Sequence, residues 1–407
     1  MTTAGRNRVR FNPFDAAFRR DPYPVYRRLR ETAPVYRTLG MWVLTRYDDA
    51  RAVLGDRSFS AGLIPRLVAE QAVRLGRPAP ERIGRLGRAS LVFTDNPDHA
   101  RLRGLVNRVF TAGAVAELRP LVAAASRRIL DDTDPTEVDL IAEYAAPLPV
   151  SVLCDWMALP GELRGVVGAW THDIRFLLDP GLMRAGDLDR VRTVVELFTD
   201  ALAEVFDARR AAPGDDLLSR LLAARTAGGD RLTDEELAFL CIMCFVAGTE
   251  TSTCLIGNAA LALLRHPDRA AAIRADPTRA RAAVTETLRY DAPLQLTKRQ
   301  ATRDVALAGH TVRAGDQVLI CLGAANRDPA AFDHPDEFDP TRSGPAHLAF
   351  GHGMHGCLGG ALAELQAEIA VAELFGPGRR PAAAFGEVDW QEHSSLLRGP
   401  RALPVRR

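Results

Sequence analysis

The chain has 407 residues, enough to bury a large core, and its formal net charge of +1 gives no reason to expect non-specific nucleic-acid binding. Five of its six cysteines lie in apolar segments, a pattern typical of a reducing compartment rather than of a disulfide framework. The first ten residues lack the apolar run of a signal peptide, and the longest apolar stretch, Leu237 to Gly248, is too short to cross a bilayer. We therefore expect a cytoplasmic protein without a membrane anchor.

The first part of the chain is predicted to be mostly helical around one small hairpin. A helix over Pro22 to Glu31 precedes a hairpin from Val35 to Thr45 that turns at Gly40, and a short helix covers Asp48 to Leu54. Residues 61–93 are rich in glycine and arginine and are predicted to be irregular. Apolar periodicity then predicts helices at about 98–110, 114–131, 141–158, 165–178, 187–210, 215–226 and 233–264.

The second part of the chain adds short strands. Two further helices end near Tyr290, and residues 293–320 are predicted to form strands with turns at Ala308-Gly309 and Ala314-Gly315. The last predicted helix covers Leu362 to Phe375. The predicted fold class is therefore mainly α with small β-sheets (α+β).

The most informative residue is Cys357, which lies in a glycine-rich loop just before the last helix. A thiolate at a helix start is favoured by the helix dipole and by free backbone N–H donors. Glycines at 351, 353 and 356 would let a flat ligand approach the backbone closely. Such a thiolate suits haem iron, where its electron donation favours O–O cleavage. A cysteine considered alone is more often an ordinary core residue, so the interpretation depends on the flanking pattern.

The flanking pattern is Phe-x-x-Gly-x-x-x-Cys-x-Gly, formed by Phe350, Gly353, Cys357 and Gly359. It resembles the haem-ligand signature of the cytochrome P450 monooxygenases. The resemblance implies that Cys357 is the axial ligand of haem b (iron protoporphyrin IX) and that Phe350, Gly353 and Gly359 help to bind this cofactor. It extends over almost the whole chain and implies the cytochrome P450 fold as a single domain, with residues 1–11 as a flexible tail.

The segment Ala247-Gly248-Thr249-Glu250-Thr251-Ser252 is predicted to interrupt the longest helix. Glycine weakens a helix and threonine can bond back to the preceding turn, so a local bulge could open a groove for dioxygen. An acid and hydroxyl groups within an apolar run need a functional reason, because burying them is unfavourable. The segment resembles the family's oxygen-activation motif. The resemblance implies that Ala247 and Gly248 belong to the groove, that Thr251 holds the activated oxygen, and that Glu250 delivers protons.

Glu286 and Arg289 lie at i and i+3 on one predicted helix, a spacing that alone would indicate only an exposed ion pair. Their position about seventy residues before Cys357 resembles the family's Glu-x-x-Arg motif. The resemblance implies a structural role, in which the pair joins a buried network with the following loop. The loop segments 326–329 and 338–342 resemble the family's partners of this pair.

Four basic residues are candidates for binding the two haem propionates. His99 and Arg103 lie at i and i+4 and so face the same way, Arg299 lies among the predicted strands, and His355 precedes Cys357 by two positions. Histidine and arginine are natural partners of buried carboxylates. Each of the four alone could be part of a surface salt bridge, but together they occupy positions that resemble the family's propionate contacts.

These resemblances imply a monooxygenase that inserts one atom of O2 into a small organic substrate, by hydroxylation or epoxidation, in secondary metabolism. The cysteine spacings do not fit an iron–sulfur cluster, and no flavin segment is present, so electrons are expected from a separate ferredoxin and its reductase. Arg101 and Arg108 are candidate docking residues for an acidic ferredoxin, or else part of a solvated helix face. A peroxide-driven peroxygenase and a non-catalytic haem-binding recruitment protein are the alternatives, and the intact Glu250-Thr251 pair argues against both.

Residues 61–93 are expected to cover the substrate pocket, and they hold six arginines, at 66, 74, 77, 82, 85 and 88, against Glu70 and Glu81. This cap could attract an anionic substrate or a substrate bound to an acidic carrier protein. The alternative is an exposed loop that shares the arginine bias of the chain, in which Lys298 is the only lysine. The sequence does not identify the substrate.

Overall fold

The computed structural model describes residues 9–78, 80–134, 136–384 and 386–406. Its α-helices are α1 (Ala16–Arg20), α2 (Tyr23–Thr32), α3 (Tyr47–Gly55), α4 (Ile64–Arg74), α5 (Glu81–Ala89), α6 (Asp98–Val106), α7 (Ala112–Glu117), α8 (Arg119–Asp131), α9 (Pro147–Trp156), α10 (Gly161–Ile174), α11 (Ala185–Ala211), α12 (Leu217–Ala223), α13 (Asp234–Arg265), α14 (Pro267–Ala275), α15 (Ala280–Tyr290), α16 (Leu322–Ala325) and α17 (Gly360–Phe375). Helices dominate the fold, as the sequence predicts.

The strands form small sheets. They are β1 (Val35–Thr38), β2 (Met41–Leu44), β3 (Phe59–Ser60), β4 (Glu137–Asp139), β5 (Leu296–Ala301), β6 (Val305–Leu307), β7 (His310–Val312), β8 (Gln317–Cys321), β9 (Ala382–Ala383), β10 (Asp389–Trp390), β11 (Pro400–Ala402) and β12 (Pro404–Arg406). The largest sheet has the order β1-β2-β8-β5-β3, with β2 and β8 parallel and its other pairs antiparallel. The other sheets are β4-β12-β9, β10-β11 and β6-β7. The predicted fold class, mainly α with small β-sheets, is confirmed.

The hairpin of β1 and β2 is the one that the sequence predicts. Its two turn residues, Leu39 and Gly40, have φ angles of 53° and 74°, as a two-residue hairpin turn requires. The strands predicted within residues 293–320 are also confirmed, and the turn at Ala308-Gly309 again has two positive φ angles. Local turn chemistry therefore sets both hairpins.

The helix α13 is the centre of the core. Leu237 to Val246 is apolar on all sides, and such a helix must be covered by other elements. It packs against α9, α10, α11, α15 and α17. Thr233 and Glu236 close its start with a capping box. By length and composition α13 could cross a membrane, but 67% of its most apolar window is buried inside the protein, as in the core helix of a globular domain.

The prediction of irregular structure for residues 61–93 is wrong, because this segment contains α4 and α5. Gly84 and Gly87 lower the intrinsic helix propensity of the segment. At Gly87 the missing side chain is needed for packing, because a Cβ atom at this position would lie 2.0 Å from a side-chain carbon of Pro65. Glycine therefore lets α4 and α5 pack closely, and tertiary packing outweighs propensity here.

Three other boundaries differ from the prediction. The expected helix 114–131 is divided into α7 and α8, where Pro120 begins a new helix. The expected helix 141–158 begins as a π-helical turn, Leu140–Ala145, before α9. The flexible tail predicted for residues 1–11 ends earlier than expected, because Phe11 is buried and its ring lies 5.3 Å from that of Phe18, edge to face. Residues 1–8 lie outside the described residues.

Candidate active site

Cys357 lies between a short helical turn, Gly353–His355, and the start of α17. Its backbone N–H donates to the carbonyl oxygen of Phe350 at 2.9 Å, which closes the loop. Desolvation by the surrounding loop raises the pKa of the Cys357 thiol although the residue is exposed, while the backbone N–H groups of Gly359 and Gly360 and the nearby guanidinium of α6 act to lower it. The helix start thus supports a thiolate only in part, and a metal cation would supply the rest of the stabilisation.

The glycines of the cysteine loop differ in their surroundings. Gly353 has a φ angle of +73°, and a Cβ atom there would lie 2.9 Å from the carbonyl oxygen of Leu54 in α3. Close contact with α3 and the positive φ angle therefore both require glycine at 353, and the approach of a flat ligand stays a prediction. The ring of Phe350 lies 3.2 Å from the Cβ position of Gly360, whereas a Cβ atom on Gly359 would meet no described atom within 4 Å. Phe350 thus supports the start of α17, and Gly359 faces open space.

The structure brings the four predicted propionate ligands into one cluster. The rings of His99 and His355 lie 4.4 Å apart between their centroids, and His355 Nε2 is 3.2 Å from Asp95 Oδ1. Arg103 donates through Nη1 to the carbonyl oxygen of the residue before the cysteine, at 2.8 Å. Arg299 of β5 is close enough to interact electrostatically with Asp95 and His355. The cluster therefore lies directly beside the cysteine loop.

Among the described residues, the basic side chains of this cluster have fewer carboxylate partners than charge neutrality would need. Burial lowers the pKa of His99 to about 4, and His355 and Arg103 lower it too. Burial lowers the pKa of Arg299 to about 10, with Asp95 acting against the shift. Within the described part of the chain, the Arg299 guanidinium donates to Thr297 and to a backbone carbonyl but to no carboxylate. Two propionates would supply the missing charge, so the residues present fit haem b.

The predicted interruption of the longest helix is wrong, because α13 is continuous through the oxygen-activation motif. The Thr251 hydroxyl donates to the carbonyl oxygen of Ala247 at 2.6 Å, and the neighbouring threonines make the same bond to the preceding turn. These bonds satisfy the hydroxyl groups within a regular helix. Ala247, Gly248 and Thr251 are half-buried in a mostly buried helix, and among the described residues a Cβ atom on Gly248 would meet only Leu153, at 3.7 Å. The space expected at this point is therefore left by small side chains, without a bulge.

Glu250 has two histidine neighbours that the sequence pattern does not indicate. Its Oε2 lies 3.3 Å from Nε2 of His393, and its Oε1 lies 4.0 Å from Nδ1 of His172. His172 belongs to α10, and His393 lies in the loop between β10 and β11. Only the tertiary fold joins residues so far apart in the chain, so no local sequence signal could have revealed them.

Glu286 and Arg289 form a bidentate ion pair at 2.7 and 2.8 Å, with side chains 4% and 3% exposed. The Glu286 carboxylate also accepts from the backbone N–H of Asp339 at 2.9 Å. Arg289 donates to three backbone carbonyl oxygens of the following loop, those of Asn326, Pro335 and Glu337. The pair therefore holds α15 to the loop that leads to the cysteine, as the resemblance implies.

Arg101, one of the two candidate docking arginines, already has ion-pair partners within the protein. Arg101 forms ion pairs with Asp230 and Glu236, so its charge is neutralised within the protein. The expectation that Arg101 faces a ferredoxin is therefore not supported by its surroundings. Arg108 is exposed and forms no ion pair with the described residues, which leaves it as the remaining candidate on this face.

Most of the cap arginines are also paired. The ion pairs are Arg66–Glu70, Arg77–Asp189, Arg82–Asp200 and Arg85–Glu235. The last three connect the cap to α11 and α13, so these arginines fasten the cap instead of presenting unpaired charge. Arg74 and Arg88 are exposed and have no ion pair within the described part of the chain. The positive charge available to an anionic substrate is thus smaller than the sequence indicates.

The chain is similar to known proteins over almost its full length. A family model described as cytochrome P450 matches residues 180–376. The 6-deoxyerythronolide B hydroxylase of Saccharopolyspora erythraea is 39% identical over 403 residues, which cover 96% of this chain and 97% of that protein.

Solved structures agree with this similarity. The crystal structure of CalO2 has a TM-score of 0.89 at 34% identity and covers 98% of this chain and 99% of its own. P450BioI, in complex with an acyl carrier protein ligated with hexadec-9Z-enoic acid, has a TM-score of 0.86 at 32% identity and covers 97% and 100%. The chain therefore belongs to the cytochrome P450 family and is a monooxygenase that binds haem b through the thiolate of Cys357.

Proposed function

We propose that the enzyme inserts one atom of O2 into an apolar or amphipathic small molecule of secondary metabolism, by hydroxylation or epoxidation. The observation that carries this proposal is the packing of α13, which bears Glu250 and Thr251, against α17, which starts beside Cys357. The acid Glu250 and the alcohol Thr251 are therefore held on the helix that packs against the helix beginning beside Cys357. The name of the similar 6-deoxyerythronolide B hydroxylase describes a hydroxylation of this kind.

When bound, the haem supplies the chemistry of dioxygen activation, which needs electrons and protons. The residues of this chain would bind the cofactor and transfer protons toward it. His99, Arg103, Arg299 and His355 would neutralise the propionates. The Glu250 carboxylate is 19% exposed, so it lies between the buried helix face and the solvent. The Thr251 hydroxyl donates to a helix carbonyl and can rotate to pass a proton onward.

We further propose that the electrons come from a separate ferredoxin and its reductase in the cytoplasm. None of the six cysteines, all of which lie in the described part of the chain, is joined in a disulfide, a pattern typical of a reducing compartment. Arg108 is the remaining docking candidate, because an exposed cation without an internal partner can attract an acidic protein.

Replacing Thr251 with alanine tests the proton role. The variant should bind haem normally but convert more of its reducing equivalents into hydrogen peroxide, with about tenfold less product per electron, because a positioned proton donor is lost. The measurement compares NADPH consumed, peroxide released and product formed. Thr253→Ala is the matched control, since the hydroxyl of Thr253 already bonds to the carbonyl oxygens of Ala145 and Thr249. Normal product per electron in Thr251→Ala would remove Thr251 from the mechanism.

A substrate bound to a carrier protein is a second candidate, favoured by the similarity to P450BioI, whose structure contains an acyl carrier protein. Arg74 and Arg88 would then meet the acidic carrier. We expect Arg74→Glu with Arg88→Glu to weaken binding of an acylated carrier at least severalfold and to leave binding of the free acid unchanged. The spin-state shift of the haem reports both affinities. Equal affinity of wild type and variant for the carrier would contradict this candidate.

A further inference from the structure

We propose that His393 and His172 supply protons from solvent to Glu250. The inference rests on the proposed role of Glu250 as the proton source for oxygen activation and names the groups that would recharge it. Each oxygen of the Glu250 carboxylate has its own imidazole neighbour, His393 at 3.3 Å and His172 at 4.0 Å. Two titratable rings from distant parts of the chain therefore converge on one acid.

The exposure of the three side chains increases outward from the helix. Glu250 is 19% exposed, His393 is 34% exposed and His172 is 64% exposed. The two rings lie 6.3 Å apart between centroids, so they reach the carboxylate separately and not as a stacked pair. Both histidines can thus take protons from water. His393 is close enough to pass a proton to Glu250 directly, whereas His172, at 4.0 Å, would do so through one bridging water molecule.

The transfer is balanced in atoms and charge. An N–H bond of a protonated imidazole breaks, an O–H bond forms on the Glu250 carboxylate, and the neutral imidazole then takes a proton from solvent water. Glu250 returns to its carboxylate form when it passes its proton toward Thr251. Imidazole suits this role because its unperturbed pKa lies near neutrality, so it can both accept and release a proton.

The surroundings favour exchange over a fixed ion pair. The partial burial of His172 lowers its pKa, and Arg175 and His393 lower it too, whereas Glu250 and Asp173 raise it. Arg175 interacts electrostatically with Glu250 but forms no ion pair with it within the described part of the chain. Cys254 of α13 also faces this carboxylate, and burial keeps its thiol protonated. The two imidazoles are therefore the groups in ion-pair contact with Glu250.

The first experiment replaces both histidines with glutamine, which keeps a polar group near Glu250 but cannot relay protons. The His172→Gln/His393→Gln enzyme should lose about tenfold in product formed per electron and release more peroxide. Its rate should also respond differently to deuterated water, a change that a merely structural role would not cause. His310→Gln, an exposed histidine of β7, is the control and should behave as wild type.

Glu250→Gln separates this inference from the proposed function. If Glu250→Gln is impaired and the double histidine variant adds nothing to it, the three residues act in one path. If Glu250→Gln is impaired but the double histidine variant matches wild type, the relay is overturned while the role of Glu250 stands. A Glu250→Gln enzyme that behaves like wild type would overturn both the relay and the role of Glu250 as the proton source.

A spectroscopic measurement tests the contacts without turnover. In the reduced, carbon-monoxide-bound enzyme labelled with ¹⁵N-histidine, Glu250→Gln should move the ring resonances of His172 and His393 and leave those of His310 in place. Unchanged resonances of both His172 and His393 would show that neither ring contacts Glu250 and would refute the relay.

Discussion

Replacement of Cys357 with serine should abolish the thiolate-ligated haem. A serine hydroxyl stays protonated at neutral pH, so the iron would lose its anionic sulfur ligand although the loop could still form. The absorption spectrum of the reduced protein with carbon monoxide gives the measurement. The wild type should show the strongly red-shifted Soret band of a thiolate complex, and the variant should lack it.

Cys154→Ser is the matched control for this prediction. Cys154 is buried, and burial raises the pKa of its thiol to about 11, so it is protonated and cannot replace Cys357 as a ligand. The control should therefore keep the red-shifted band. A Cys357→Ser protein that retained the band would show that another group ligates the iron.

The second large effect is expected from Arg289→Ala. This change removes two hydrogen bonds to Glu286 and three to loop carbonyl oxygens, all inside the protein. It leaves the buried Glu286 carboxylate with Arg342, at 3.4 Å, as its other cation. Breaking a buried pair in this way destabilises a protein by about 3–5 kcal/mol. The free energy of unfolding of a folded protein is only about 5–15 kcal/mol in total. The variant should therefore yield little soluble protein with bound haem.

The control for Arg289→Ala is an exposed pair with the same spacing. Asp276 and Arg279 also lie at i and i+3 but are 47% and 60% exposed. Arg279→Ala should therefore change the free energy of unfolding by less than about 1 kcal/mol. Denaturant unfolding and haem content compare the two variants. Equal unfolding midpoints for Arg289→Ala and Arg279→Ala would contradict a structural role of the buried pair.

The residues that could be predicted are those whose chemistry depends on short sequence spacing. Cys357 and its glycines form one loop, and Glu286 with Arg289 lies within one helical turn, so short motifs that resemble those of the family locate them. The four basic residues come from α6, β5 and the cysteine loop, and a family resemblance was needed to group them. Neither a local pattern nor the family resemblance indicated His172 and His393. Only the packing of α10 and of the loop between β10 and β11 against α13 brings them to Glu250.

Two of the wrong predictions share a cause. Glycine was expected to interrupt helices at residues 61–93 and at Gly248 because its helix propensity is low, and the threonines beside Gly248 were expected to bond back to the preceding turn and open a bulge. In the cap, Gly87 instead allows two helices to touch, and in α13 the threonine hydroxyls bond within the helix. Propensity describes an isolated segment, whereas both segments are held by their neighbours.

We expect Arg103 to make the binding of the cofactor an all-or-none event. Its guanidinium bonds to the carbonyl oxygen of Gly356, immediately before the ligand cysteine, while its charge belongs to the cluster proposed to receive the propionates. Capture of the propionates would fix this side chain and so also fix the loop that presents the sulfur. The two ends of the haem would then be recognised as one event, and release of either end would loosen the other.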